Sequence, residues 1–318
     1  MTRLLFLLAA LLMPLTALAQ EFPMTLTHKF GTTVIPAAPA RIATVDYAGA
    51  DDLLALGVQP VTIRHWYGDY ENAIWPWAAP YLTTAPEILR GDLNFEQIAR
   101  AEPDLIVALW SGIDQSEYEQ LSRIAPVVAV PEGVGDYAMA WDDRALMTGQ
   151  VIGKAAEAQA QVDAIRQRLA DIAAAHPQWQ GLTAPVAFVN DNGPGAYTAV
   201  DIRPQLLATL GFRNPPAIEA MKGTSPFAVY FSKEALDPLD ADLLIWLDGT
   251  GDFAPIRALA ARRFLAAATE GREIFMGEEI TGAFSHATLL SLPRAIDLMV
   301  PMIEAALDGD PDTHADDR

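Results

Sequence analysis

The 318-residue chain contains no cysteine. Disulfides, thiolate metal cages and cysteine nucleophiles are therefore excluded. So is a lipid-anchored lipoprotein, which needs a cysteine to carry its acyl chain. Stability must come from core burial, which a chain of this length supplies without covalent staples. Basic residues are scarce: 21 Lys and Arg stand against 41 Asp and Glu, a formal net charge of −20. Nucleic acid is a poor partner for such a surface, because phosphate binding needs basic patches. The five histidines, His28, His65, His176, His286 and His314, are scattered and too few in any loop for a His-based zinc cage. No direct metal site and no cofactor is expected.

Catalytic constellations are also missing. There is no H-E-x-x-H and no G-x-S-x-G. GQVIGKA (149–155) has three residues rather than four between its glycines and no Ser or Thr after Lys154, so it is not a phosphate loop. Its position reads as mid-helix. GPGAYT follows a strand, but Thr198 stands where a dinucleotide fingerprint needs its third glycine; a flexible loop is the reading. An exported enzyme on an α/β scaffold is disfavoured accordingly.

Long hydrophobic runs occur only at the N-terminus. Arg3, the apolar run LLFLLAALLM and Ala17-Leu18-Ala19 predict a cleavable signal peptide over residues 1–19, too short to span a bilayer. The expected location is the periplasm.

Beyond the leader, strands and helices alternate. RIATVD (41–46), QPVTI, LIVAL and VVAV read as strands, with ADDLLALG as a helix stopped by Gly57. This pattern predicts an α/β lobe with a mainly parallel sheet over residues 20–139. Apolar or small residues at 151, 155, 158, 162, 165, 169 and 172 alternate steps of four and three. They predict one continuous amphipathic helix over 140–176, some 50 Å long, ended by Pro177. The pattern restarts over 177–308, a second α/β lobe, and the acidic segment 309–318 reads as a flexible tail.

One phrase is written twice. NFEQIARAEPDLIV (94–107) and SKEALDPLDADLLI (232–245) each open on an N-cap type residue, Asn94 or Ser232. Each carries a glutamate two places on, Glu96 or Glu234, and an aspartate eight further, Asp104 or Asp242. Each ends in a buried-strand run. Two related lobes follow, and two-lobed chains bind ligands between the lobes.

Taken together, THKFGTTVIPAAPARIATVDYAGADDLLALGVQPV, NFEQIARAEPDLIVA, the mid-chain helix and SKEALDPLDADLLIWL resemble the periplasmic iron–siderophore binding proteins of ABC importers. This is the helical-backbone class that also includes vitamin B12 and haem binders, and the resemblance covers residues 25–306. It implies a class III periplasmic binding protein: two Rossmann-like α/β lobes joined by one backbone helix, monomeric, with a ferric siderophore as ligand. Cobalamin or haem is the alternative within the class. It also implies that Glu96 and Glu234 dock onto arginines of the membrane permease, although an acidic residue also suits a first helical turn through the macrodipole.

Ligand residues are expected on loops after the strands. In the first lobe these are Arg64, His65, Trp66, Tyr67 and Trp110. In the second they are Tyr197, Arg203, Phe284 and His286. Aromatic faces suit the shell of a chelated metal, and arginines suit its anionic oxygens. A haem binder would need an axial ligand, for which Tyr67, His65 or Tyr197 could serve. Trp75 and Trp77 read as loop packing, Trp246 as core, and Arg203 could simply cap its helix against a carboxylate.

Overall fold

The computed structural model describes residues 21–316 except 222, 224 and 314. The predicted signal peptide therefore lies outside the described residues. Within them, no helix is long and apolar enough to cross a membrane.

An antiparallel hairpin opens the chain, β1 (Met24–His28) with β2 (Gly31–Ile35). It is fastened to the first lobe by the Thr33 hydroxyl, which donates to the Val127 carbonyl at 2.8 Å. That lobe holds five strands: β3 (Ile42–Thr44), β4 (Thr62–Arg64), β5 (Glu87–Leu89), β6 (Leu105–Ala108) and β7 (Val127–Ala129). They lie in the order β5-β4-β3-β6-β7, all parallel. Helices α1 (Gly49–Ala55), α2 (Phe95–Arg100) and α3 (Gln115–Leu121) connect them. Strand order reverses between β3 and β6, and in open α/β sheets that switch point opens a crevice beyond the strand C-termini.

The predicted 140–176 helix is two helices. α4 (Trp141–Val151) stops at Gly153, whose φ of 76° is left-handed. The Lys154 N–H donates to Gly149 O at 2.7 Å and the Gly153 N–H to Gln150 O at 3.2 Å, the paired bonds of a Schellman motif. α5 (Ala155–Ala175) then folds back along α4, so that Arg166 pairs with Asp142 at 2.7 Å. A stop signal inside an unbroken apolar period explains the misreading: the period continues across the turn because both helices face one core. GQVIGKA is thus a helix C-terminus and its reversal.

α5 alone spans the lobes, and 21 residues make it roughly 30 Å long. Its Ala158, Val162, Ile165 and Leu169 are buried. Gln161 donates to Ala55 O of the first lobe at 2.9 Å, while Arg168 pairs with Asp297 of the second.

The second lobe contains β8 (Val186–Asn190), β9 (Gly193–Tyr197), β10 (Ala228–Tyr230), β11 (Leu244–Leu247), β12 (Glu273–Met276) and β13 (Ala315–Asp316). Its helices are α6 (Ile202–Thr209), three single turns α7 (Pro216–Glu219), α8 (Ala254–Arg257) and α9 (Ala266–Thr269), then α10 (Glu278–His286) and α11 (Ser291–Ala306). The sheet order is β10-β9-β8-β11-β12-β13, with β9 and β10 antiparallel to their neighbours. The glycine-rich stretch read as a flexible loop is therefore strand β9. Gly195 is required there, since a Cβ would stand 2.6 Å from the Phe188 ring and 2.7 Å from Val229 O. Part of the predicted flexible tail is also ordered, because β13 pairs with β12 at the sheet edge.

The doubled phrase builds matching joints. The Asp104 carboxylate accepts from the Ala40 and Arg41 N–H groups at 2.8 and 2.9 Å, pinning the entry to β3. Asp242 accepts from the Thr183 N–H at 2.7 Å and its hydroxyl at 2.8 Å, ahead of β8. The first copy is a capped helix, with Asn94 Oδ1 accepting from Gln97 N at 3.0 Å. The second is a turn followed by a 3₁₀ turn over Asp237–Leu239, with no side-chain cap from Ser232. Proline at 238 suits so short an element.

Candidate ligand-binding cleft

The C-terminal ends of the first lobe's strands converge on the second lobe around a cavity of about 700 Å³. Tyr47 follows β3, Arg64 ends β4, His65 and Trp66 come next, Trp110 follows β6 and Tyr137 follows β7. Opposite them stand Phe188 and Asn190 of β8, Tyr197 of β9, Arg203 of α6 and Tyr230 of β10.

Aromatic rings brace one another along the first-lobe wall. Trp66 meets Trp110 edge-on with centroids 5.3 Å apart, and Trp110 meets Tyr137 in the same way at 5.4 Å. Such pairs add about 0.5–1.5 kcal/mol beyond buried area, so the wall is set before a ligand arrives. Tyr137 has a φ of 63°, unusual without glycine. Its hydroxyl donates to Ser111 O at 3.3 Å, and neighbouring Gly112 must be glycine because a Cβ would lie 1.9 Å from that hydroxyl.

Each lobe supplies one arginine stacked on a tyrosine. The Arg64 guanidinium lies 4.2 Å from the Tyr47 ring centroid, and that of Arg203 lies 3.5 Å from Tyr197. Stacking holds both forks in place while leaving N–H groups for a ligand. Their partners differ. Arg203 grips Asp201 through both oxygens, Nε to Oδ1 at 2.7 Å and Nη2 to Oδ2 at 2.8 Å, and reaches Ser285 Oγ at 3.3 Å. Arg64 donates only to Ser111 O, at 3.2 Å, and its Nε is buried without a partner among the described residues. Trp110 Nε1 is likewise buried and unpartnered.

Six of the nine sequence-predicted ligand residues line this cavity: Arg64, His65, Trp66, Trp110, Tyr197 and Arg203. Three do not. Phe284 is 0% exposed within the core, and His286 is 3% exposed, its Nδ1 donating to Gly282 O at 2.8 Å. Both sit in α10, which was read as loop, and Ser285 between them faces the cleft instead. Burial lowers the His286 pKa to about 4 and leaves its ring neutral. Tyr67 turns away from the cavity, with its ring 5.2 Å from Trp75 and its hydroxyl pushed up to about 12 by burial. Of the three axial candidates for haem, Tyr67 is thereby poorly placed, while His65 and Tyr197 line the cavity.

The residues missed fall into two groups. Tyr47 and Tyr137 follow strands, so the strand-end rule that found Trp110 could have found them. Phe188 and Tyr230 lie inside strands and needed the β8–β9–β10 meander. Trp75 is buried, Trp77 donates to Asp51 at 2.7 Å, and Trp246 is fully buried with its Nε1 donating to Glu273 at 2.8 Å, as the packing readings held.

Beneath the cavity floor lie three buried carboxylates, of which Asp52 pairs directly with the Arg144 guanidinium while Asp46 and Asp51 feel its charge from further off. Asp46 accepts from Leu109 N and Trp110 N at 3.1 and 2.7 Å, tying the ends of β3 and β6 together. Asp51 accepts from Trp77 and from the Thr288 hydroxyl, and Asp52 from Leu289 N and Arg144. Burial raises Asp46 and Asp51 to about 6 against these stabilising bonds.

Glu96 and Glu234 are exposed, one on each lobe. Glu234 borders a shallow apolar groove that also includes Phe264, 74% exposed.

The chain resembles known proteins along most of its length. A solved periplasmic solute binding protein from Mycobacterium smegmatis is 32% identical, with a TM-score of 0.77 over 89% of this chain and 98% of that one. The probable siderophore-binding lipoprotein YfiY of Bacillus subtilis is 29% identical over 72% of this chain and 70% of its own length. The Fe(3+) dicitrate-binding periplasmic protein FecB of Escherichia coli is 28% identical over 67% and 68%. The periplasmic binding protein family model matches residues 42–267. With two α/β lobes, a spanning helix and a cleft between them, the chain belongs to the periplasmic binding protein family.

Proposed function

We propose that this protein captures a ferric siderophore in the inter-lobe cleft and delivers it, as a monomer in the periplasm, to the permease of an ABC importer. The observation that carries the reading is the cleft itself: a 700 Å³ cavity walled by aromatics, with one stacked arginine from each lobe. Aromatic faces bury the organic shell of a chelate while guanidinium forks meet its oxygens. The iron arrives coordinated by its chelator. Relatives named for siderophore and ferric dicitrate binding support the same class of ligand.

In this reading the protein is a carrier and catalyses no reaction. Glu96 and Glu234 are the handles for the permease, and Phe264 offers an apolar contact beside the second handle. Binding is tested by tryptophan quenching, since Trp66 and Trp110 both line the cavity. Ferric hydroxamate, catecholate and citrate chelates, haem and cobalamin form the panel. Micromolar or tighter binding of an iron chelate is expected; a response to haem or cobalamin alone would overturn the reading.

A further inference from the structure

The cleft is nearly neutral. Apart from His65, the charged residues lining it are Arg64, Arg203, Asp92 and Asp201, two of each sign. Asp201 is engaged with Arg203 through both carboxylate oxygens, and Oδ1 also accepts the Arg203 backbone N–H at 3.0 Å as the N-cap of α6. Arg203 is thereby matched by a fixed countercharge before any ligand enters. Arg64 meets no carboxylate among the described residues, so one guanidinium is free to face an anion. The protein as a whole carries −20, a field that opposes the approach of polyanions.

We infer that Asp201 sets the charge class of the ligand: by neutralising Arg203 it tunes the cleft to neutral ferric chelates of the tris-hydroxamate type and against trianionic tris-catecholates and anionic citrate chelates. The inference rests on the siderophore reading above. A neutral chelate needs its oxygens oriented but not its charge balanced, and one free fork with stacked aromatics suffices. A trianionic chelate would meet one unbalanced cation and a carboxylate within the same wall. Unfavourable pairing of that kind is how a site rejects a near-relative of its ligand.

The test uses the mature protein with ferrichrome, ferric enterobactin and ferric dicitrate as probes, at low and high salt. Ferrichrome should bind at least about tenfold more tightly than ferric enterobactin, with the gap widest at low salt. Asp201→Asn retains an acceptor oxygen and removes the charge. It should strengthen ferric enterobactin binding about tenfold relative to ferrichrome, shifting the preference between the two toward the trianionic chelate. Asp201→Ser, which keeps an N-cap hydroxyl, should behave alike and guards against a folding defect in the first variant. Tighter binding of ferric enterobactin than of ferrichrome by the unaltered protein would overturn the charge inference and leave the siderophore reading standing. So would an unchanged preference in both variants. Binding of none of the three probes would overturn both.

Discussion

Arg144 Nε lies 3.3 Å from Asp52 Oδ2, an ion pair between α4 and α1 in which each side chain is 1% exposed. The same guanidinium donates to His286 O at 2.9 Å and Ala287 O at 2.7 Å, where α10 of the second lobe ends. Asp52 reaches across as well, accepting from Leu289 N at 2.9 Å. One buried pair carried by α1 and α4 thus satisfies three backbone groups of the second lobe. Together with α5 it makes the inter-lobe joint stiff, and closure about a ligand should be slight.

Arg144→Met would leave Asp52 buried without its countercharge. A loss of about 3–5 kcal/mol in unfolding free energy is expected. Adding Asp52→Asn to that variant should recover part of the loss, since the orphaned charge is gone. Urea unfolding of the single and double variants measures both, and strictly additive losses would refute the coupling.

Stability should fall with rising pH through the buried carboxylates. Asp51 titrates near 6 in the fold against an ordinary 3.8. The folded state therefore holds this proton more tightly, and the stability it adds is full below about pH 4 and lost as pH rises through about 6. Asp51→Asn can keep an acceptor toward Trp77 and Thr288 but cannot ionise. Relative to the unaltered protein, the variant should gain up to roughly 3 kcal/mol between pH 4 and pH 7. A difference between the two proteins that is independent of pH would contradict the assignment.

Two glycines at the α4–α5 reversal should differ in sensitivity. Gly153→Ala meets open space, the nearest atom being a Phe22 ring carbon at 3.7 Å, so only its left-handed φ is penalised, by about 1 kcal/mol. Gly149→Ala would set its Cβ 2.3 Å from Ala158 Cβ and push α4 off α5. It should cost more, about 1–3 kcal/mol. Thermal melts rank the two, and the reverse order would show that packing does not hold the hairpin.

Glu96→Ala with Glu234→Ala should abolish uptake in cells while leaving chelate affinity within about twofold, because both residues are exposed and outside the cleft. Reduced affinity in the purified double variant would place them in ligand binding instead.

Much of the architecture was legible in local pattern. LIVAL and LLIWL are apolar runs without alternation, and β6 and β11 are buried along their whole length in the sheet interior. The paired aspartates identified the two lobes before their hydrogen bonds were visible. The strand-end rule found Arg64, Trp66 and Trp110 because parallel sheets deliver their C-terminal loops to one edge. It failed at Phe284 and His286, which are buried in the last turns of α10. The flexible-loop reading failed at GPGAY, where glycine serves close strand packing, although Tyr197 at its end does line the cavity.

The sequence by itself determined the class of this protein: two lobes, a mainly parallel first sheet, a cysteine-free acidic surface and a ligand edge rich in aromatics and arginine. These properties follow from period and composition, which act locally along the chain. Only the tertiary structure decided that Arg203 is matched by Asp201, that Arg64 is not, and that Asp52 and Arg144 lock the lobes. Asp201 and Arg203 are neighbours in sequence, but whether a carboxylate grips the adjacent guanidinium or turns to solvent depends on Tyr197 and Ser285 holding that fork. Asp52 and Arg144 stand 92 residues apart. No local pattern encodes such a pair, because its energy exists only once folding has removed both groups from water.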